Sequence, residues 1–308
     1  MNWQRLDELR RIFLSASESN GVRDYWQDLE LLALYDQTLA ERIRWKWQAV
    51  WQDLHARGWM SQEAFETVTD WGCGTGIAIR SLLDFQSSLN HLTVKRIHLI
   101  DRSAMATQFA RTRILEKFPG VDVQIGSPSG NGSGQLFLSS HVGNELNAEG
   151  RSFLVRMIKK ADRVVMVEPG TKDASRFLIE MRSMLRKQFH IDAPCFRQEQ
   201  CPLESRGSKD WCHQFAAVPV EVHHSAFWSE FARRLKIDIN SVPLSYLALS
   251  KGNPMDRSEV SMTLIGAERR LKHRNEILAC RSEGPLAPVD VAKIQKAANS
   301  NWSANDLA

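Results

Sequence analysis

The chain has 308 residues, 43% hydrophobic and 25% charged, which excludes a disordered, collagen-like or low-complexity protein and gives the length of about two domains or one large domain with additions. No apolar run approaches the roughly 20 residues of a membrane span, and the first residues, with Asp7 and Glu8 among them, lack the pattern of a secretory leader, so a soluble, intracellular protein without membrane contact, monomeric when free, is expected. The net charge of +4 is segregated, with −1 over residues 1–60, −2 over 61–150 and +7 over 151–308, a bias that suits a polyanionic partner and equally a solvated surface.

Residues 1–60 read as helical. Leu29, Leu31, Leu32 and Leu34, then Ile43, Trp47, Val50, Trp51 and Leu54, fall on a helical stripe. Trp45, Trp47, Trp51 and Trp59, interleaved with Arg42, Arg44 and Lys46, have two readings. They are the inside of a packed helical cap, the plainer expectation, or a stacking surface for nucleic acid. From residue 67 the pattern becomes strand–helix alternation. Strands are expected at 67–70, 96–101, 121–125, 135–139 and 163–168, helices at 78–85, 104–117, 147–160 and 171–189, and a Gly/Ser-rich loop at 126–134. Such alternation demands a parallel sheet with helices on both faces. Residues 245–249 read as a late strand of that sheet, 261–267, 276–280 and 288–291 as strands of a small tail, and 293–299 as a closing helix. The expected domains are a helical N-terminal cap (1–62), an α/β core (63–255) containing a cysteine loop (191–215), and a basic β-rich tail (256–308).

Asp70-Trp71-Gly72-Cys73-Gly74-Thr75-Gly76 follows the first strand and precedes a helix. Glycine at every second position lets backbone approach a ligand closely at a helix N-terminus, which favours anionic groups. Asp101 ends the next strand, where a carboxylate can accept hydrogen bonds from both ribose hydroxyls of an adenosine. Ile77 stands where a dinucleotide fingerprint needs glycine, and no Gly-Lys-Ser/Thr follows to make a phosphate loop of the Walker type. The motif instead resembles the first motif of class I S-adenosylmethionine (SAM) methyltransferases. That resemblance implies a Rossmann-like fold, with Asp70, Gly72, Gly74 and Gly76 cradling the amino-acid part of the cofactor, Asp101 on its ribose and Ser127 near its adenine. Cys73, between two glycines, offers backbone rather than thiol chemistry.

Of the five cysteines, Cys195, Cys201 and Cys212 crowd into one segment with Pro194, Pro202 and Gly207 and no helical period. A long loop of that kind needs something to hold it, and thiolate–metal bonds supply folding energy directly. Cys280, in a strand-like stretch, is the one candidate for a fourth ligand. Four thiolates suit zinc or an iron–sulfur cluster. The wide spacing lacks the paired knuckles of zinc sites and leans toward iron–sulfur, while His213, His223 and His224 keep a mixed zinc site open, and plain buried thiols are the third reading. A radical SAM site requires Cys-x₃-Cys-x₂-Cys, which is absent.

Together these motifs are similar to the mitochondrial-type small-ribosomal-subunit methyltransferase-like family, which also has bacterial members. The resemblance spans roughly residues 30–308. It rests on the glycine motif, Ile100-Asp101-Arg102-Ser103, His141-Val142-Gly143-Asn144-Glu145-Leu146, Val167-Glu168-Pro169-Gly170-Thr171, Ala193-Pro194-Cys195, Cys201-Pro202 and Asp210-Trp211-Cys212-His213. Phe196-Arg197 stand where the family often has Pro-His. The resemblance implies a [4Fe–4S] cluster on Cys195, Cys201, Cys212 and Cys280. It also implies association with small-subunit ribosomal RNA during ribosome maturation, in the cytoplasm of a bacterium or the mitochondrial matrix of a eukaryote.

Turnover is less legible than cofactor binding. The end of the fourth strand, Ser139 to Glu145, has no Asn/Asp-Pro-Pro-Tyr motif, and no cysteine nucleophile of the pyrimidine-methylating type stands out. His141, Asn144 and Glu145 either line a pocket or cap the next helix, with capping the preferred reading, and Glu168 is equally ambiguous. No catalytic residue is assigned from sequence. The alternative function is a non-catalytic assembly factor that keeps the fold and binds RNA. Arg269, Arg270, Lys272 and Arg274, between two tail strands, are the expected phosphate contacts, or a solvated hairpin loop.

Overall fold

Residues 164–167, a run of Val-Val-Met-Val, are wholly buried, as are Val68, Ile97 and Leu136. Strands apolar on both sides belong in a sheet covered on both faces, and that is the architecture found. The computed structural model describes residues 2–15, 26, 28–61, 65–128, 135–195, 197–204, 209–252, 262–281 and 284–294. Helices α1 (Trp3–Ser15), α2 (Leu29–Asp36) and α3 (Leu39–Ala56) lead into β1 (Thr67–Trp71), α4 (Ile77–Ser88), β2 (Arg96–Ile100), α5 (Ala104–Lys117), β3 (Asp122–Ile125), β4 (Gln135–Ser140), α6 (Ala148–Ile158), β5 (Arg163–Pro169) and α7 (Lys172–Leu185). Then come β6 (His190–Ala193), β7 (Gln214–Ala216), α8 (Val220–His223), α9 (Ala226–Leu235), β8 (Val242–Ser250), β9 (Met262–Arg270), β10 (Asn275–Arg281) and β11 (Ala287–Asp290).

The main sheet has the order β3-β2-β1-β4-β5-β8-β6, with β7 also paired to β8. The pairings β1–β2, β2–β3, β1–β4 and β4–β5 are parallel. β8 runs antiparallel to β5, β6 and β7, so it alone opposes the rest. The expectation of a parallel sheet therefore needs one correction, at residues 245–249. Hydrophobic pattern reports burial and not strand direction, and an apolar run buried on both faces reads alike either way. A mostly parallel sheet between helical layers is the Rossmann-like fold expected.

Alternation along β5 assigns the two layers. Val165 and Val167 face the core that contains α3 and α4, while Val164 and Met166 face the core built by α6 and α7. Trp47, Trp51 and Trp59 are wholly buried and Trp45 nearly so, packed with Val68, Ile79 and Leu82. The tryptophans are therefore core, and the stacking-surface reading is excluded. A third cluster joins Leu6, Leu9 and Leu32 to Ala106, Phe231 and Leu235.

α9 stands outside the expected elements, although Ser225 caps it through the Trp228 N–H and Phe227, Trp228, Phe231 and Leu235 follow at helical spacing. Strands β6 and β7, of four and three residues, are too short for periodicity to declare. β9–β11 form a separate antiparallel sheet of order β11-β10-β9. Most of the expected closing helix 293–299, and loop residues 129–134, lie outside the described residues. Truncating Trp51 to alanine removes a side chain with no exposed surface and should cost about 3–5 kcal/mol. Urea unfolding will read this as a lowered midpoint with unchanged slope, and a cost below about 1 kcal/mol would contradict its placement in the core.

Candidate functional site

β1 lies between β2 and β4, so successive connections leave it in opposite directions and open a crevice at the strands' carboxyl ends. The glycine loop fills that position. Gly72 and Cys73 donate to the Ile100 carbonyl at 2.7 and 3.1 Å, pinning the loop to the end of β2. Gly72 has φ +69°, and a Cβ there would sit 2.6 Å from Val142 Cγ1. Gly74, at φ +50°, has nothing within 4 Å of a Cβ position, so its backbone lies open. The Gly74 N–H donates to Asp101 Oδ2 at 2.9 Å, and the Ser103 N–H to Oδ1 at 3.0 Å. Each carboxylate oxygen keeps a further acceptor site.

Asp70 is wholly buried. Its Oδ2 accepts from Ile79 in the first turn of α4 at 3.4 Å, and its Oδ1 has no partner among the described residues. Burial pushes it up to about 7. Burial, with Asp70 and Asp101 nearby, also holds the Cys73 thiol well above its ordinary range, which agrees with a backbone role for Cys73. Ser127 is exposed beyond β3.

The exit of β4 closes the other side of the crevice. Glu168, wholly buried at the end of β5, accepts from the Val142 and Gly143 N–H groups through Oε1, both at 3.1 Å, and its Oε2 has no partner among the described residues. Burial raises it to about 8, against the lowering effect of those two amides and of Lys46. His141 adopts φ 57° and donates its backbone N–H to Val167 O at 2.9 Å. Its Nε2 lies 3.0 Å from Lys46 Nζ and its Nδ1 3.3 Å from Ser140 Oγ, which accepts from Trp47 Nε1 at 3.0 Å. Asn147, not His141, Asn144 or Glu145, caps α6, through the Gly150 N–H. Glu145 pairs with Arg102 at 3.0 Å. The preferred capping role is thereby corrected: Asn147 stands immediately before the helix, the place from which a side chain reaches its free N–H groups. Lys46 was missed because it meets His141 from 95 residues away.

The fold gathers Cys195, Cys201, Cys212 and Cys280. Cys280 lies on β10 beside the strand that reaches Pro194, and Cys212 packs with Cys201. Thr263 makes the connection to the tail, since it pairs with Cys280 across β9 and β10 and donates to the Pro194 carbonyl. Cys201, beside Cys212, packs against Ile179, Leu203 and Ile265. Protein groups also hold the loop. Arg182, 2% exposed, donates through Nη2 to the Arg197 and Glu199 carbonyls at 2.7 and 2.6 Å. The Gln198 amide exchanges two 2.9 Å hydrogen bonds with Ile191. Burial raises all four thiols, while Arg182 lowers Cys195, Cys201 and Cys280. Among the described residues no three His, Cys, Asp or Glu side chains converge as a group that could hold a metal ion. His213 Nδ1 faces the Trp211 carbonyl at 3.0 Å, and His223 and His224 are exposed.

Arg269, Arg270, Lys272 and Arg274 are all exposed, but Arg269 and Arg270 end β9, paired with Glu276 and Asn275 of β10, and only Lys272 and Arg274 lie in the turn between the strands. Arg269 pairs with Asp210, and Arg274 with Glu276, which reduces the positive charge the turn presents.

Fold and crevice define a protein of the Rossmann-like α/β type. The chain belongs to the family described as mitochondrial small ribosomal subunit Rsm22, whose model matches residues 40–296. Comparison with curated proteins gave no match. Among solved structures it is similar to magnesium protoporphyrin IX methyltransferase from Synechocystis PCC 6803, at 12% identity over 80% of this chain and 91% of that one, TM-score 0.41. It is also similar to the plantazolicin methyltransferase BpumL, at 9% identity over 81% and 100%, TM-score 0.43. No helix among the described residues is long and apolar enough to cross a membrane.

Two outcomes test this geometry. Gly72→Ala meets both Val142 and a positive φ and should lose about 1–3 kcal/mol, with Val142→Ala restoring only part of it in thermal unfolding. Glu168 is raised from 4.5 to about 8, so the native state binds the extra proton and its contribution to stability falls as pH rises through that window. Glu168→Gln should therefore gain stability relative to wild type between about pH 5 and 8, and parallel unfolding curves across that range would contradict the burial.

Proposed function

We propose that this protein binds SAM in the crevice above β1 and β4 and acts on the small ribosomal subunit or its RNA during ribosome assembly. The observation that carries the reading is the open Gly74 backbone held against the Asp101 carboxylate at the topological switch point, in a chain of the Rsm22 family. Gly72, Gly74 and Gly76 line the approach for the amino-acid part of the cofactor. Asp101 offers its remaining acceptor sites to the ribose, and Ser127 lies toward the adenine. Asp70 braces the loop from beneath through α4. When bound, the cofactor supplies an electrophilic methyl group. The chain's own task is to align a nucleophile with it and to exclude water.

The reading extends to the thiols. Four thiolates suit a [4Fe–4S] cluster, in which each binds its own iron, and the wide spacing of these cysteines lacks the paired knuckles of zinc sites. The donor chemistry agrees: Arg182 buries a cation beside the thiols, with Nε and Nη1 lacking partners among the described residues, and such a charge calls for anions. Cys195, Cys201, Cys212 and Cys280 would hold the cluster, which supplies a cross-link between the cysteine loop and the tail. Arg269, Arg270, Lys272 and Arg274 add phosphate contacts in this reading. The protein is a monomer when free, of three parts, cap (1–62), core (63–255) and tail (256–308), in the cytoplasm of a bacterium or the mitochondrial matrix of a eukaryote.

Calorimetric titration with SAM should show binding that Asp101→Ala weakens at least about tenfold through loss of charged hydrogen bonds. Anaerobically purified protein should be brown, with about four irons per chain. Stoichiometric zinc without iron would overturn the cluster. Methylation of small-subunit RNA compared with and without the protein reads the activity, and co-sedimentation with subunits in the absence of any methylation would leave a binding-only assembly factor.

A further inference from the structure

Lys46 and His141 meet at the exit of β4, in a crevice that also holds the buried carboxyls Asp70 and Glu168. His141 directly precedes Val142, whose Cγ1 covers Gly72. It therefore stands at the edge of the glycine loop, beside the position the proposed function gives to the methyl donor. Its backbone is left-handed, which costs a residue with a Cβ about 1–2 kcal/mol, and the Val167 carbonyl and the Glu168 clamp on the next two amides hold it there. The side chains form a chain of hydrogen bonds. Trp47 Nε1 donates to Ser140 Oγ, Ser140 Oγ meets His141 Nδ1, and His141 Nε2 meets Lys46 Nζ at 3.0 Å. That last contact holds one proton between two nitrogens. Either a lysine ammonium donates to the imidazole or an imidazole N–H donates to a neutral amine. The Ser140 hydroxyl can reverse its own bond to match, since it both gives and accepts. Lys46 and His141 are half-buried, so each keeps some contact with solvent.

We propose that Lys46 and His141 form the acid–base pair of a methyl-transfer site, serving a nucleotide nucleophile that carries a proton, a ring N–H or a ribose 2′-hydroxyl. The proposal rests on the SAM reading given above. Lys46 Nζ takes the proton as the nucleophile's lone pair forms the new bond to the methyl carbon. The sulfonium C–S bond breaks, and sulfur keeps that pair as a thioether. The proton stays on Lys46 Nζ, held by the hydrogen bond to His141 Nε2, until it exchanges with solvent. The charges around the pair favour this role. Desolvation lowers Lys46 to about 7, helped by Arg42 one turn earlier on α3 and opposed by Glu168 from β5. Desolvation and Lys46 both lower His141. Glu145, behind Glu168, helps keep that carboxyl protonated. A neutral amine is thus present near pH 7, the range in which proton transfer by a side chain is most effective.

The test uses the full chain, small subunits from cells lacking it, and SAM with a tritiated methyl group. Lys46→Met, Lys46→Arg and His141→Gln should each lower RNA labelling by about 10²-fold or more with SAM affinity unchanged. Wild-type labelling should rise with pH through a midpoint near 7, and this rise should be absent in Lys46→Met. Lys46→Arg keeps the charge but cannot release the proton, so labelling by it near the wild-type rate overturns the proposal, as does a variant whose only defect is in SAM binding. Nucleoside digestion distinguishes base from ribose methylation. Wild-type protein that binds SAM and labels nothing overturns this inference alone, whereas wild-type protein that binds no SAM overturns the cofactor reading and this one with it. In the free protein, trinitrobenzenesulfonate should modify Lys46 with a midpoint near pH 7, and a midpoint near the ordinary 10.5 contradicts the pair directly.

Discussion

The buried carboxyl of Glu168 is the constraint on which the crevice depends. It gathers the Val142 and Gly143 amides after β4 and so fixes a backbone that no regular element controls. Hydrogen bonds of this kind, to a carboxyl that burial keeps protonated, contribute roughly 0.5–1.5 kcal/mol each. They set Val142 against Gly72 and leave His141 in its left-handed conformation facing Lys46. Gly143 in turn packs against Phe177, where a Cβ would approach within 2.5 Å. The glycine loop and the β4 exit are thus two surfaces of one joint, tied to α7 on one side and to α3 on the other.

The same strand exit reaches the thiols. Two residues after Glu168, the Gly170 carbonyl accepts from Trp211 Nε1 at 2.8 Å, and Trp211 precedes Cys212. Gly170 itself lies against Pro243, where a Cβ would come within 2.5 Å, and Ser245 on the same strand donates to the Cys212 carbonyl at 2.7 Å. α7, which starts just beyond, carries Arg182 to the cysteine loop. The crevice and the thiol cluster therefore share a short rigid span of β5, α7 and β8. Burying an arginine is costly unless anions or carbonyls surround it. Two carbonyls of the cysteine loop already serve, and the thiols lie beside it, so the loop has a shape of its own before any metal is considered.

Charge is used differently at the surface. The C-terminal half holds the whole positive excess of the sequence, yet Arg269 and Arg274 at the hairpin tip are each paired with a carboxylate. Exposed pairs of this kind are worth little to stability, and they leave the hairpin tip less positive than its sequence suggests.

The amino-acid sequence by itself determined the alternation of strands and helices from residue 67 to 185, the glycine loop with Asp101 one strand away, and the four cysteines, because periodicity, turn chemistry and residue type are local properties. α5 was expected at 104–117 and is found there, since Ser103 caps it and Pro119 follows. Only the tertiary structure decided the reversal of β8, the burial of the tryptophans, the nearness of Cys280 to the cysteine loop and the meeting of Lys46 with His141. Each of these depends on which face of one element packs against another, over separations such as the 95 residues between Lys46 and His141. A linear pattern marks a residue as apolar or chargeable, but the partner that buries it or shares its proton is fixed only when the sheet closes.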